Sequence, residues 1–205
     1  MRRTGVFVAA LAVTLVVAAA GTAAKPAVTI SLSRPSVVYG GSVSLSGKVS
    51  NNKAGETVDV LAEPSGATSF SVLGSVTTTA GGRWTDVVKP TIETSYEAKW
   101  KSEISSMVTV KVRPVITLTL IHLSTGTFST KVTAARSFAG KFVLVQRLSS
   151  SGVATQKKVI LDTNSSATFS VRLHQGRSRL RVVMPTSQTA PGYITGASKV
   201  LTVNR

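Results

Sequence analysis

The residues best suited to acid–base chemistry are few: His122 and His174 are the only histidines, and Asp59, Asp86 and Asp162 the only aspartates. A Ser-His-Asp set would also need its serine on a strained turn, and the chain has no Gly-x-Ser-x-Gly segment. His174 falls in Leu173-His174-Gln175-Gly176, a turn sequence whose ordinary occupant is a solvated polar side chain. Metal chemistry lacks its ligands as well. There is no cysteine, no histidine pair four apart, and no Asp/Asn-rich calcium loop. Gly41 to Lys48 superficially suggests a phosphate loop, but five residues separate its glycines, and Val49 stands where Ser or Thr would hold magnesium. Its alternation marks a strand instead. The sequence therefore predicts a non-enzyme with no catalytic residue, metal, cofactor or small-molecule substrate.

Charge is the one chemical feature that stands out. Residues 25–114 carry ten Lys/Arg against seven Asp/Glu, a net of +3; residues 115–205 carry twelve against Asp162 alone, a net of +11. Arg177, Arg179 and Arg181 recur every second residue. In a strand that spacing puts three guanidinium groups on one face, with Leu180 and Val182 on the other. Lys157, Lys158 and Arg172 would add to the patch if their strands were neighbours. A surface of this kind attracts anionic polymers such as teichoic acids, acidic polysaccharide, nucleic acid or a phospholipid surface. The alternative is plain solubility. No aromatic interleaves the arginines, as single-strand nucleic-acid grooves usually require.

The elements that must carry these side chains are strands. Val, Thr and Ser are abundant, and β-branched residues suit a pleated surface. No window of helical length shows a helical period. In the first half seven runs read as strands: Val28–Leu32, Ser42–Ser50, Thr57–Glu63, Phe70–Thr77, Trp84–Val88, Tyr96–Trp100 and Met107–Val112. Gly40-Gly41, Asn51-Asn52, Pro64-Ser65-Gly66 and Gly81-Gly82 separate them as turns. Short strands at intervals near ten residues form the sandwich pattern.

The second half repeats the first. Ala139 to Val145 parallels Ala54 to Val60, and Phe169 falls on Trp84, both at an offset of 85. Arg179–Met184 stands opposite Ser95–Trp100. A period so long means tandem domains rather than a solenoid. The expected division is residues 25–113 and 114–205, joined at Arg113-Pro114-Val115, where proline stiffens a very short linker. Trp84, Tyr96, Trp100 and Phe169 are expected in the cores. Trp84 is matched by Phe169 and Trp100 by Met184, so the positions share bulk rather than the aromatic face that stacking on a sugar would need. Tyr96 lies near the start of the sixth strand, where a buried ring with its hydroxyl bonded to backbone is common.

Tyr39-Gly40-Gly41-Ser42-Val43, Ala54-Gly55-Glu56-Thr57-Val58, Gly81-Gly82-Arg83-Trp84 and Thr94 to Trp100 resemble the bacterial immunoglobulin-like repeats of secreted and cell-surface proteins. The resemblance covers roughly residues 27–114 well and the second half more loosely. It implies two tandem seven-stranded immunoglobulin-like β-sandwiches acting as spacers, adhesive modules or appendages. Cell-wall or other anionic polymers, or another surface protein, are then the expected partners.

Residues 1–24 read as a secretory signal peptide. Arg2 and Arg3 precede a run from Val6 to Ala20 that is apolar except for Thr14, and small residues follow at Ala18-Ala19-Ala20 and Thr22-Ala23-Ala24, either of which suits a signal peptidase. The run is short for a membrane span, which needs about 18–20 apolar residues. The expected product is extracellular or cell-surface, with no stable membrane span after processing. Without cysteines it must rely on its hydrophobic core.

Overall fold

The computed structural model describes residues 27–205, so the signal peptide expected over residues 1–24 lies outside the described residues. The first half contains β1 (Ser31–Leu32), β2 (Ser36–Val38), β3 (Val43–Lys48), β4 (Thr57–Pro64), β5 (Ser71–Thr77), β6 (Arg83–Val88), β7 (Thr94–Trp100), β8 (Glu103–Ile104) and β9 (Val108–Arg113). One sheet runs β1-β3-β6 and the other β2-β9-β7-β4-β5, with β8 beside β7. The second half contains β10 (Val115–His122), β11 (Thr127–Thr133), β12 (Phe142–Ser149), β13 (Gly152–Ile160), β14 (Ser166–Ser170), β15 (Arg177–Met184), a one-turn helix α1 (Thr186–Thr189), β16 (Gly196–Ala197) and β17 (Leu201–Asn204). Its sheets are β10-β11-β14 and β13-β12-β15-β16, with β17 also on β15. The chain is an all-β protein of two sandwiches in tandem.

Alternation explains which face each strand buries. Val43 and Leu45 of β3, Val58 and Val60 of β4, and Val110 and Val112 of β9 are buried in the first sandwich. Phe128 and Val132 of β11, Val143 and Val145 of β12, and Leu180, Val182 and Met184 of β15 do the same in the second. The opening run differs between the two. Pro35 interrupts it in the first half, because proline has no N–H for the ladder. Its carbonyl instead accepts from the Lys111 N–H at 3.0 Å, and the chain crosses to the other sheet as β2, parallel to β9. No proline interrupts β10, which stays beside β11 along its whole length, with one irregularity at Leu120/His122. The edge strand β13 carries Lys157 and Lys158, which the sequence places on a strand without setting its bounds. Most of it is exposed on both faces, so its sequence carries no alternation.

The two cores fill the same place by opposite means. Trp84 of β6 pairs in register with Gly47 of β3, whereas Phe169 of β14 pairs with Phe128 of β11. The two phenyl rings stack with centroids 6.1 Å apart. At Gly47 a Cβ would lie 2.6 Å from Trp84 Nε1 and would run into the Thr29 carbonyl. One large ring over a glycine thus replaces two medium rings, as close packing demands.

The sandwiches are clamped together by the segment following α1. The Glu93 N–H donates to the Gly192 carbonyl at 2.8 Å, and the Ile194 N–H to the Val112 carbonyl at 2.9 Å. The Arg113 guanidinium donates to the Thr195 carbonyl at 2.8 Å. Tyr193 is buried, donates its hydroxyl to the Thr91 carbonyl at 2.7 Å, and accepts from the Ala135 N–H at 3.1 Å. Its ring meets Phe138 edge-on at 5.8 Å, and the Arg136 guanidinium lies over both rings. Arg136 also donates to the carbonyls of Thr189 and Ala190. The buried apolar residues of both halves consequently form one continuous cluster.

Candidate anion-binding face

β15 displays its arginines as a strand must. Arg177 and Arg179 are exposed and Arg181 is half-buried, while Ser178, Leu180 and Val182 between them are buried. Register places Arg181 beside Gln146 and Arg179 beside Leu148 of β12. The Arg181 Nε donates to Gln146 Oε1 at 2.9 Å, which fixes that guanidinium against the sheet.

The other cations separate. Lys158 pairs with Leu144, on the face of the sheet that carries Gln146, and its ammonium sits 4.0 Å above the Phe142 ring. Lys157 pairs with the buried Val145 and so takes the opposite face of β13. Arg172 follows β14 in the other sheet. Arg147 is a cation that spacing alone did not reveal. It pairs with the buried Leu180, and its Nη2 donates to the Arg172 carbonyl at 2.6 Å. Its place in an apolar run, between Val143–Val145 and Leu148, was the available signal.

Few negative charges oppose this face. Asp162, the only acid in residues 115–205, accepts the N–H groups of Asn164 and Ser166 in its own turn, at 2.8 and 2.9 Å. The first sandwich contrasts with this. There Glu56 accepts from Trp100 Nε1 at 2.8 Å and Asn51 Nδ2 at 2.7 Å, with the Lys101 ammonium 3.7 Å away. Those two hydrogen bonds, helped by the lysine charge, hold its carboxyl below the ordinary range.

The remaining candidates form no reactive group. His122 ends β10 and His174 lies in the loop after β14, both exposed. Asp59 accepts from the Ser75 hydroxyl, and Asp86 from the Val87 N–H. Among the described residues no group of three or more His, Asp or Glu could hold a metal ion. Trp84, Tyr96, Trp100 and Phe169 are 2, 2, 3 and 5% exposed, which leaves no ring face for a sugar. Burial pushes the Tyr96 hydroxyl's pKa up, and the Thr94 side chain opposes that shift. The tyrosine whose hydroxyl bonds backbone is Tyr193, which sequence reading passed over. Its signal was the turn sequence Ala190-Pro191-Gly192 just before it.

No protein-family model matches the chain, and no curated protein does. Among solved structures it is similar to a tetra-tandem repeat from the extending region of a large adhesion protein, at 13% identity and a TM-score of 0.36. That match covers 88% of this chain and 50% of the other. It is also similar to a Salmonella alpha-2-macroglobulin mutant at 11% identity and a TM-score of 0.33, covering 85% of this chain and 16% of that one. Escherichia coli alpha-2-macroglobulin in its native conformation gives 9%, 0.34, 86% and 16% for the same quantities. The chain thus spans half or less of the length of each. Among the described residues no helix is long and apolar enough to cross a membrane.

Proposed function

We propose that the protein is a non-catalytic, exported structural or adhesive module, with one immunoglobulin-like unit over residues 25–113 and a second over residues 114–205. The observation that carries this reading is the clamp between the sandwiches. Four hydrogen bonds join Thr91, Glu93, Val112 and Arg113 to residues 192–195 and hold the two units together beside the short linker. A jointed pair would serve a flexible tether, whereas a clamped pair keeps its two ends at a fixed separation, as a spacer requires.

A second reading, binding of anionic polymers such as teichoic acid or acidic polysaccharide, is favoured by the arginine face of β15 and by the engagement of Asp162 in its own turn. One experiment separates the two. The purified protein is incubated with envelopes isolated from its own cells and eluted with rising salt. Retention that survives high salt supports the adhesive reading. Retention lost as salt rises supports the polymer reading, because exposed charges are screened over about 8 Å at physiological ionic strength. No retention at any salt refutes both as envelope functions.

A further inference from the structure

We infer that the second sandwich carries a discrete site for a phosphate group borne by a sugar or polyol chain, in a cleft between the ends of β12 and β15. This inference rests on the polymer-binding reading and gives it a location. Leu148 and Arg179 are the last paired residues of the two strands. Beyond them β12 turns into its hairpin with β13, where Ser149 faces Gly152, while the start of β15 leans on β17, where Arg177 faces Asn204. The diverging ends open a cleft of about 300 Å³ lined by Arg147, Ser149, Ser150, His174, Arg177 and Arg179.

The chemistry of the lining selects the ligand. The exposed Arg177 and Arg179 guanidinium groups offer paired N–H donors matched to the oxygens of a tetrahedral anion. Both rise from one face of β15. Arg147 adds positive charge at the wall, its guanidinium held by the bond to the Arg172 carbonyl. Positions fixed in advance reduce the ordering cost of binding. The volume lies at the lower end of the range for small-ligand sites, about 300–1,000 Å³, and exceeds what one phosphate needs. The residue attached to the phosphate therefore enters as well. The lining holds no Phe, Tyr or Trp, so a nucleobase would have only the His174 ring and the arginine planes to stack on. A polyol- or sugar-phosphate unit needs no stacking platform, and is the occupant assigned to the cleft.

The test compares two double variants that remove equal charge. Arg177→Ser/Arg179→Ser empties the cleft of two guanidinium groups. Lys131→Ser/Lys199→Ser removes two exposed cations elsewhere on the second sandwich. Titration calorimetry measures binding of a glycerol-phosphate polymer, inorganic phosphate, heparin and single-stranded poly-thymidine, with melting curves to establish folding. The cleft variant is expected to lose about tenfold or more in affinity for the glycerol-phosphate polymer, since hydrogen bonds to charged groups are the strong ones. The lysine variant should lose about twofold or less. Equal losses in the two variants would overturn the cleft while leaving diffuse polymer binding in place. Absence of binding by the wild type, even at low salt, would overturn the polymer reading itself. Inorganic phosphate binding as tightly as the polymer would assign the cleft to a free anion, and tighter binding of poly-thymidine or heparin would overturn the choice of chain. Should the arginine variant melt early, amide chemical-shift mapping of the wild type decides. Shifts confined to residues 147–150 and 174–179 support the cleft, and shifts scattered over exposed lysines refute it.

Discussion

Replacing Tyr193 with phenylalanine should loosen the joint between the sandwiches without disturbing either core. The ring stays, with its edge contact to Phe138 and the guanidinium of Arg136 above it. Only the hydroxyl leaves, and with it go a bond to the Thr91 carbonyl of the first sandwich and a bond from the Ala135 N–H of the second. Tyr193 is 2% exposed, so water does not readily replace the lost oxygen. A buried polar group left unsatisfied costs about 1–3 kcal/mol. For a unit of this size each kcal/mol corresponds to about 2–4 °C in Tm.

Calorimetry supplies one assay and backbone ¹⁵N relaxation the other. The wild type should unfold in one transition and tumble as one body. The Tyr193→Phe protein should melt several degrees lower, with the transition broadening or splitting in two, and its halves should tumble more independently. Gly192→Ala attacks the same joint by another route. Gly192 has φ +84°, and a Cβ there would lie 2.5 Å from Ile92 of the first sandwich. Gly140→Ala is its control, since φ is +73° but nothing lies within 4 Å. Both variants bear left-handed strain of about 1–3 kcal/mol, so the excess at Gly192 reports the joint. If Tyr193→Phe melts and tumbles like the wild type, the clamp does not couple the sandwiches and the rigid-spacer argument fails.

Trp84→Ala should cost about 3–5 kcal/mol, the range for large aromatics in cores, and be read directly in denaturant titration. Trp84→Phe should cost far less, because the buried Nε1–H it removes has no hydrogen-bond partner. Gly47→Ala should destabilise by about 1–3 kcal/mol or more through overpacking against Trp84 and the Thr29 carbonyl, with a melting curve as the check. Burial raises the pKa of Tyr96 and of Tyr193 above the ordinary value near 10. The neutral phenols are thus favoured in the folded state, and the stability they contribute is complete below about pH 10 and lost as pH rises past it. The depressed carboxyl of Glu56 works in the other direction, its contribution being present above pH 4.5 and lost on acidification, as paired melts of wild type and Glu56→Gln should reveal.

The strands with one buried face were legible because their period of two survives in the sequence. Val43 and Leu45, or Leu180, Val182 and Met184, alternate with polar residues that the sheet turns outward. Strands wetted on both faces have no reason to alternate, so β5 was legible only through its composition and flanking turns, and β13 only as an unbounded strand carrying Lys157 and Lys158. The move of β2 into the second sheet was hidden for a different reason. Pro35 says that the ladder must break, but nothing local says that the freed chain will find β9. The arginine stripe was legible as a face because spacing alone fixes it. The cleft was not, since the ends of β12 and β15 come together only through pairing between strands some thirty residues apart.

The offset of 85 places Trp84 against Phe169 and suggests equivalent cores, yet equivalence of position is not equivalence of packing. What faces the ring decides what the ring can be. Gly47 leaves room for an indole, and Phe128 leaves room only for a phenyl. The two positions of each pair are therefore coupled, and position 47 cannot take a large ring while Trp84 stays. A chimera tests this coupling. Placing phenylalanine at Gly47 while keeping Trp84 should prevent the first sandwich from folding, because two large rings cannot share space that already excludes a methyl group. Placing phenylalanine at both Gly47 and Trp84 should recover part of the loss. The recovery stays partial, since the Thr29 carbonyl of the neighbouring segment still presses on position 47. Chemical denaturation of the single and double variants measures the interaction between the two sites. If their effects simply add, the rings do not share one volume and the comparison of the two cores is wrong.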